Sequence, residues 1–256
     1  MTPRAAAMSA LALALAASSL VAPVRAEPPR GGSVGAAHDG RLEGAVALPL
    51  DGHGYRFYGP VATRGTRFAT LELGALIARA ARVLHEHAPG PPLVVGDCSA
   101  EDGGRIPRHV SHQSGRDVDL LFLARDATGE PVELGRFVRF DGAGRCVSPG
   151  CDVVFDVARN WWLVRTLVAS REPAVQYIFV SEPLRALLIA HAEAHGEHPE
   201  LLRRARRILH QPTSGAPHDD HFHVRIHCLR SHSPRCRDVG PRWPWVDARG
   251  RAAPIR

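Results

Sequence analysis

Apolar residues return at helical spacing from Leu71 to His87, at positions Leu73, Leu76, Ile77, Ala80, Val83 and Leu84, which predicts a helix with one buried face. Pro89-Gly90-Pro91-Pro92 stops it, and Leu93-Val94-Val95-Gly96 follows as a buried strand. Asp117 to Leu123 alternates polar and apolar before closing on an apolar run, so it predicts a strand leaving the polar turn Gln113-Ser114-Gly115-Arg116. A second helix is expected from Phe155 to Ser170, with Trp161-Trp162 as core or groove wall, then a strand over Val175 to Val180. Ser181, followed closely by Pro183, opens a helix through His195. Leu201, Leu202, Ile208 and Leu209 frame a further helix whose arginines, 203 to 207, are expected on a solvated face. His221 to Ile226 alternates again and predicts a strand. The helices group apart from the strands, so the expected class is α+β, a mainly antiparallel sheet flanked by helices.

Residues 45–240 carry this patterning and form one expected domain. The Gly/Pro/Ala-rich stretch 27–44 predicts a flexible lead-in, and 241–256, with Trp243-Pro244-Trp245, an irregular tail. Met1 to Ala26 has the form of a cleaved secretory signal: Arg4, a short Ala/Leu-rich run from Ser9 to Val21, and Val24-Arg25-Ala26 before the cut. That run is too short to span a bilayer, so no stable membrane insertion is expected after cleavage.

A hydrophobic content of 45% with 23% charged residues suits a globular protein. The net charge of +6 comes entirely from arginine, as the chain has no lysine. No arginine run with interleaved aromatics points to nucleic acid. Five cysteines in an exported chain favour disulfides; Cys146 pairs locally with Cys151 and Cys228 with Cys236, leaving Cys98 as a buried or free thiol.

The chemistry gathers in two stretches, 109–119 and 218–223. A catalytic zinc ion takes three imidazole or carboxylate ligands and keeps a fourth position open. His112, from the turn, and Asp119, from the strand, can meet at one point, and His223 can complete the set. Period two puts His221 and His223 on one strand face. The scattered histidines, such as His38 and His191, are expected to be ordinary surface or core residues.

The string His109-Val110-Ser111-His112-Gln113-Ser114-Gly115-Arg116-Asp117-Val118-Asp119, with Gly96-Asp97, Gly103-Gly104-Arg105 and Asp220-His221-Phe222-His223-Val224-Arg225, resembles the penicillin-insensitive murein endopeptidases. The resemblance spans roughly residues 45 to 236. It implies a periplasmic zinc peptidase domain that cuts D-alanyl-diaminopimelate cross-links of peptidoglycan, with zinc at His112, Asp119 and His223. It also implies the pairing of Cys228 with Cys236. An ion with an open position activates water, which leaves a general base to be assigned. His221 ranks first for its shared face with His223. His218 matches a family histidine and ranks second. Asp220, three residues before His223, stands where related carboxypeptidases carry an acidic base and ranks third; it can instead orient an imidazole. His109 matches a family position tied to a second metal, but Asp141-Gly142-Ala143-Gly144 lacks the partner histidine, so one zinc is expected and His109 becomes a substrate or supporting group. Arg116 can clamp a substrate carboxylate or be a surface arginine. Two other functions remain open: a D,D-carboxypeptidase, and a zinc-bearing wall-binding module without turnover.

Overall fold

The structure, a computed structural model, describes residues 32–232 and 234–255. The expected signal segment 1–26 lies outside the described residues. Short strands come first: β1 (Gly32–Ala36), β2 (Asp39–Glu43), β3 (Val46–Ala47), β4 (Asp51–Gly52) and β5 (Tyr55–Phe57). Helix α1 (Pro60–Arg64) and β6 (Phe68–Ala69) lead into α2 (Leu71–His87), then β7 (Leu93–Val95) and β8 (Asp117–Leu121). Strands β9 (Ala124–Arg125), β10 (Pro131–Val132) and β11 (Val154–Phe155) make a small sheet before α3 (Val157–Val168). The chain closes through β12 (Val175–Phe179), α4 (Glu182–Ala194), α5 (Pro199–Ile208), β13 (Leu209–His210) and β14 (His221–Ile226).

Seven strands form the central sheet in the order β13-β12-β14-β8-β7-β5-β4. Its pairs are antiparallel except for β12 with β13 and β5 with β7. The expected α+β class holds. Alternation sorts the two central strands by face: Val118, Leu120, Phe222, Val224 and Ile226 join the core with Leu73, Leu76 and Ile77 of α2 and Leu163, Val164 and Leu167 of α3. Each such side chain contributes roughly 1.5–3 kcal/mol on burial. A one-residue slip would turn this apolar set outward and the histidines inward, so core burial also sets the register of the site. The helices start where their caps allow. Thr70 Oγ1 accepts the Leu73 N–H at 3.3 Å to open α2, and the Asp156 carboxylate accepts the Arg159 N–H at 3.1 Å to open α3.

Residues 32–43 differ from the expected flexible lead-in. They form an antiparallel hairpin, β1 with β2, docked through Gly35 N–H on Arg235 O at 2.8 Å and Leu42 N–H on Asp102 O at 3.0 Å. These partners lie far away in sequence, so no local periodicity announces them.

Arg116 is also corrected. It is fully buried rather than available to substrate, donating through Nε to Ser33 Oγ (2.8 Å), through Nη1 to Ile226 O and Asp238 Oδ1 (3.1 Å each), and through Nη2 to Arg237 O (3.1 Å). It ties the N-terminal hairpin to the segments on either side of the loop closed by the Cys228–Cys236 disulfide. Asp238, two residues beyond that loop, accepts from the Cys228 N–H at 2.8 Å and faces His227 Nδ1 at 3.1 Å. Burial pushes the Asp238 carboxyl up, but His227, the Cys228 N–H and Arg116 outweigh it and bring it from 3.8 to about 2. A carboxyl lowered on folding adds stability that is complete above its unfolded value, near pH 4, and is lost as pH falls through about 2. Asp238→Asn is expected to flatten the pH dependence of unfolding across that window, removing roughly 1–2 kcal/mol at neutral pH. Urea melts of both proteins from pH 2 to pH 6 check it; parallel curves reject the assignment.

Both expected disulfides, Cys146–Cys151 and Cys228–Cys236, are present, and Cys98 is a buried thiol. Within the arginine cluster of α5, Arg204 departs from the solvated face: it is buried and donates to Glu200, Ala253 O and Pro254 O. The tail has no helix or strand through residue 255, yet Trp243, Trp245 and Val246 are buried in the core. Among the described residues no helix is long and apolar enough to cross a membrane.

Candidate metal centre

Antiparallel pairing of β8 with β14 puts Asp119 directly opposite His223, and Asp117 opposite Arg225. Their side chains share the face turned away from the core with His221. His112 arrives from the preceding turn. Its backbone is left-handed, φ 67°, uncommon for a residue with a side chain, and its carbonyl accepts from Ser99 Oγ at 2.5 Å. Gly115, at φ 71°, lets that turn pass close to the hairpin: a Cβ there would meet Leu42 Cδ1 at 2.6 Å and Thr70 N at 3.1 Å.

Three atoms then converge. His112 Nε2 stands 3.2 Å from Asp119 Oδ1 and 3.3 Å from His223 Nδ1, and His223 Nδ1 is 3.4 Å from Asp119 Oδ1. Donors about 2.0–2.1 Å from one tetrahedral ion stand about 3.3 Å apart, so the spacing fits. The opposite ring nitrogens are already engaged. His112 Nδ1 donates to Cys98 O at 2.9 Å, and His223 Nε2 donates to Asp117 Oδ1 at 2.7 Å. Each imidazole therefore turns a lone pair to the centre. Both Asp119 oxygens are buried without a hydrogen bond among the described residues, despite those close contacts. Two lone pairs and a carboxylate facing one another need a cation between them, and these three residues would hold it.

The electrostatics agree with that role. Without a cation, burial lowers the His112 imidazole but Asp119 outweighs it and raises it, and burial, then that charge on His112, pulls His223 down to about 3; a bound cation would stand in place of the His112 proton. Burial opposes ionisation of Asp119, but His112 and His221 hold its carboxyl well below the ordinary range. Asp117 is likewise held ionised against burial, chiefly by Arg225 and His223.

His221 stands at the edge of this trio, Nε2 at 3.4 Å from Asp119 Oδ1. Its Nδ1 meets Asp220 Oδ1 at 2.5 Å, so Asp220 orients that ring. Burial lowers the His221 imidazole, yet Asp119 and Asp220 raise it to about 10. A cation on Asp119 would counter the first of these charges and bring His221 back toward neutrality. His218 lies on the approach loop, φ 54°, with Nδ1 on Ala216 O at 2.9 Å and its ring 5.1 Å from that of His221. His109 bridges two carboxylates, with Nε2 at 3.1 Å from Asp97 Oδ2 and Nδ1 at 3.7 Å from Asp119 Oδ2. His109, His218, His221 and His223 border a cleft of about 400 Å³, which His38, Arg108, Val110, Phe179 and Arg225 also line; Asp97, His112, Arg116, Asp119 and Asp220 do not.

Two contributors stand among the residues that carry the resemblance but have no role assigned there. Asp117 carried a signal, since it lies two residues before Asp119 on the same strand face. Asp97 carried little: it is held by Arg64 Nη2 at 2.8 Å and by Thr66 Oγ1, partners 33 and 31 residues away. Asp117→Ala is expected to weaken metal binding about 10–100-fold, because the tautomer and aim of His223 depend on it. Competition with a chromogenic chelator measures this, and unchanged affinity would refute that role for Asp117.

An α+β domain whose central strands and the turn before them bring two imidazoles and a carboxylate around one point, beside an oriented histidine and an open cleft, defines the class of metal-dependent hydrolases. Within that class, residues 33–244 match the model of the penicillin-insensitive murein endopeptidases, and the chain belongs to that family. The penicillin-insensitive murein endopeptidase of Klebsiella pneumoniae strain 342 is 30% identical over 237 residues, covering 90% of this chain and 80% of the relative. Those of Pectobacterium atrosepticum and Haemophilus influenzae are similar at 31% over 240 and 27% over 220 residues, covering 85% and 80% of this chain and 76% and 67% of theirs.

Proposed function

We propose that the protein is an exported, periplasmic zinc-dependent murein endopeptidase that hydrolyses D-alanyl-diaminopimelate cross-links between peptidoglycan peptides. The observation that carries this is the convergence of His112 Nε2, Asp119 Oδ1 and His223 Nδ1 within 3.4 Å of one another beside His221. His112, Asp119 and His223 would hold a zinc ion, which would supply a water of lowered pKa and a Lewis acid for the scissile carbonyl. His221 accepts a proton at Nε2 and passes it to the departing amine, a role suited to an imidazole near neutral pH. Asp220 keeps the other ring nitrogen as a donor, so Nε2 stays turned to the cleft. Asp220 is thereby occupied in orienting His221, which leaves it a poor first choice for the base itself. His218 and His109 flank the substrate path, and Asp97 fixes the ring of His109.

The test is mass-resolved digestion of purified cross-linked muropeptide dimers by the mature chain, with and without a chelator. Chelator-sensitive conversion of dimers to monomers is expected. Loss of a single terminal alanine would convert the proposal to a carboxypeptidase. Intact dimers in the presence of bound zinc would indicate a binding module.

A further inference from the structure

We propose that Arg225 is a specificity-determining residue that receives a free carboxylate of the substrate, on the residue that supplies the departing amine. This rests on the endopeptidase proposal for where the substrate lies. Arg225 follows His223 on the same face of β14, one side-chain step further along the cleft wall. Its Nε donates to Asp117 Oδ1 at 2.7 Å, the oxygen that also takes the His223 Nε2 proton. Its Cζ lies 5.4 Å from the centre of the Phe179 ring, which supports the guanidinium plane from one side.

Nε bonding and ring contact leave Nη1 and Nη2 without a hydrogen-bond partner among the described residues, and the side chain borders the cleft. A guanidinium held this way offers a preorganised donor edge, the geometry that suits a carboxylate. The cleft wall strengthens the case, because its lining includes His38, Arg108 and Arg225 and no Asp or Glu. Arg108 is exposed at the rim, whereas the Arg225 side chain is 12% exposed. Only the latter is desolvated enough to discriminate strongly between a carboxylate and its neutral amide. A D-alanyl-diaminopimelate link carries a carboxyl on the carbon bearing the departing amine, one residue step from the bond that breaks.

The experiment compares two synthetic peptides in which a D-alanyl carbonyl is joined to the D-centre amine of meso-diaminopimelic acid, the adjacent carboxyl being free in one and a carboxamide in the other. Their affinities for the unmodified protein are measured by calorimetry with a chelator present, so that binding is read without turnover, while the zinc-loaded protein is assayed for cleavage in parallel; the Arg225 guanidinium protons are followed by NMR. The free acid is expected to bind at least about tenfold more tightly and to shift the Arg225 signals. Arg225→Lys keeps the charge without the fork and is expected to retain part of the preference, and Arg225→Gln none. Equal affinity of acid and amide for the unmodified protein, failure of both to bind, or a preference that survives in Arg225→Gln would overturn the proposal. Because the two-peptide comparison needs no variant, misfolding of Arg225→Gln cannot rescue it. Tight binding of the acid without cleavage would sink the endopeptidase proposal and leave the carboxylate site standing.

Discussion

Asp119→Asn is expected to abolish retention of the metal and to lower hydrolysis of cross-linked muropeptides more than about a thousandfold, ~4 kcal/mol of transition-state stabilisation. The carboxylate is the one formal negative charge among the three converging donors, and both its oxygens are buried with no other hydrogen-bond partner among the described residues. An amide keeps the shape and loses that charge. Thermal melting separates this effect from misfolding. Zinc at a hundred times its Kd stabilises the native chain by ~2.7 kcal/mol, which for a domain of this size raises Tm by roughly 5–10 °C. The variant is expected to unfold cooperatively with no such rise. A zinc-dependent rise of normal size, with normal zinc content after gel filtration, would remove Asp119 from the ligand set.

His221→Ala is expected to do the converse, keeping zinc and its thermal shift while turnover falls about 10²–10⁴-fold, the usual contribution of a placed general base. Its Nε2 lies beside the metal centre, but the three inner donors are complete without it. Asp220→Asn is expected to cost only about tenfold, since it weakens the orientation of the ring and leaves the base in place. The pH profile gives a second measure. The native enzyme is expected to lose activity in acid as His221 becomes protonated, and the alanine variant to lack that limb. Full turnover in His221→Ala would pass the base role to His218, and loss of zinc would make His221 a ligand.

Much of this molecule was legible before folding because its decisive patterns are local. Helical spacing from Leu71 to His87 and period-two alternation at His221 to Ile226 follow from the geometry of single elements, and both elements form at those bounds. The α+β class follows from how such elements are grouped. The two motif stretches already contained His112, Asp119, His221 and His223, and they carried the family resemblance that the comparison over residues 33–244 bears out.

The tertiary structure decided what depends on partners distant in sequence. The His223–Asp119 register, His112 Nδ1 on the Cys98 carbonyl and the hold of Asp117 on both His223 and Arg225 join groups 14 to 108 residues apart. Residues 32–43 become a hairpin because their amides pair with residues 102 and 235 as well as with each other. The same reason separates two arginines. Arg116 sits inside the most telling motif, yet its donors are spent on Ser33, Ile226, Arg237 and Asp238, whereas Arg225 spends only Nε among the described residues and borders the cleft. Composition and spacing state which groups a chain possesses; hydrogen-bond satisfaction in the folded interior decides which remain free to act.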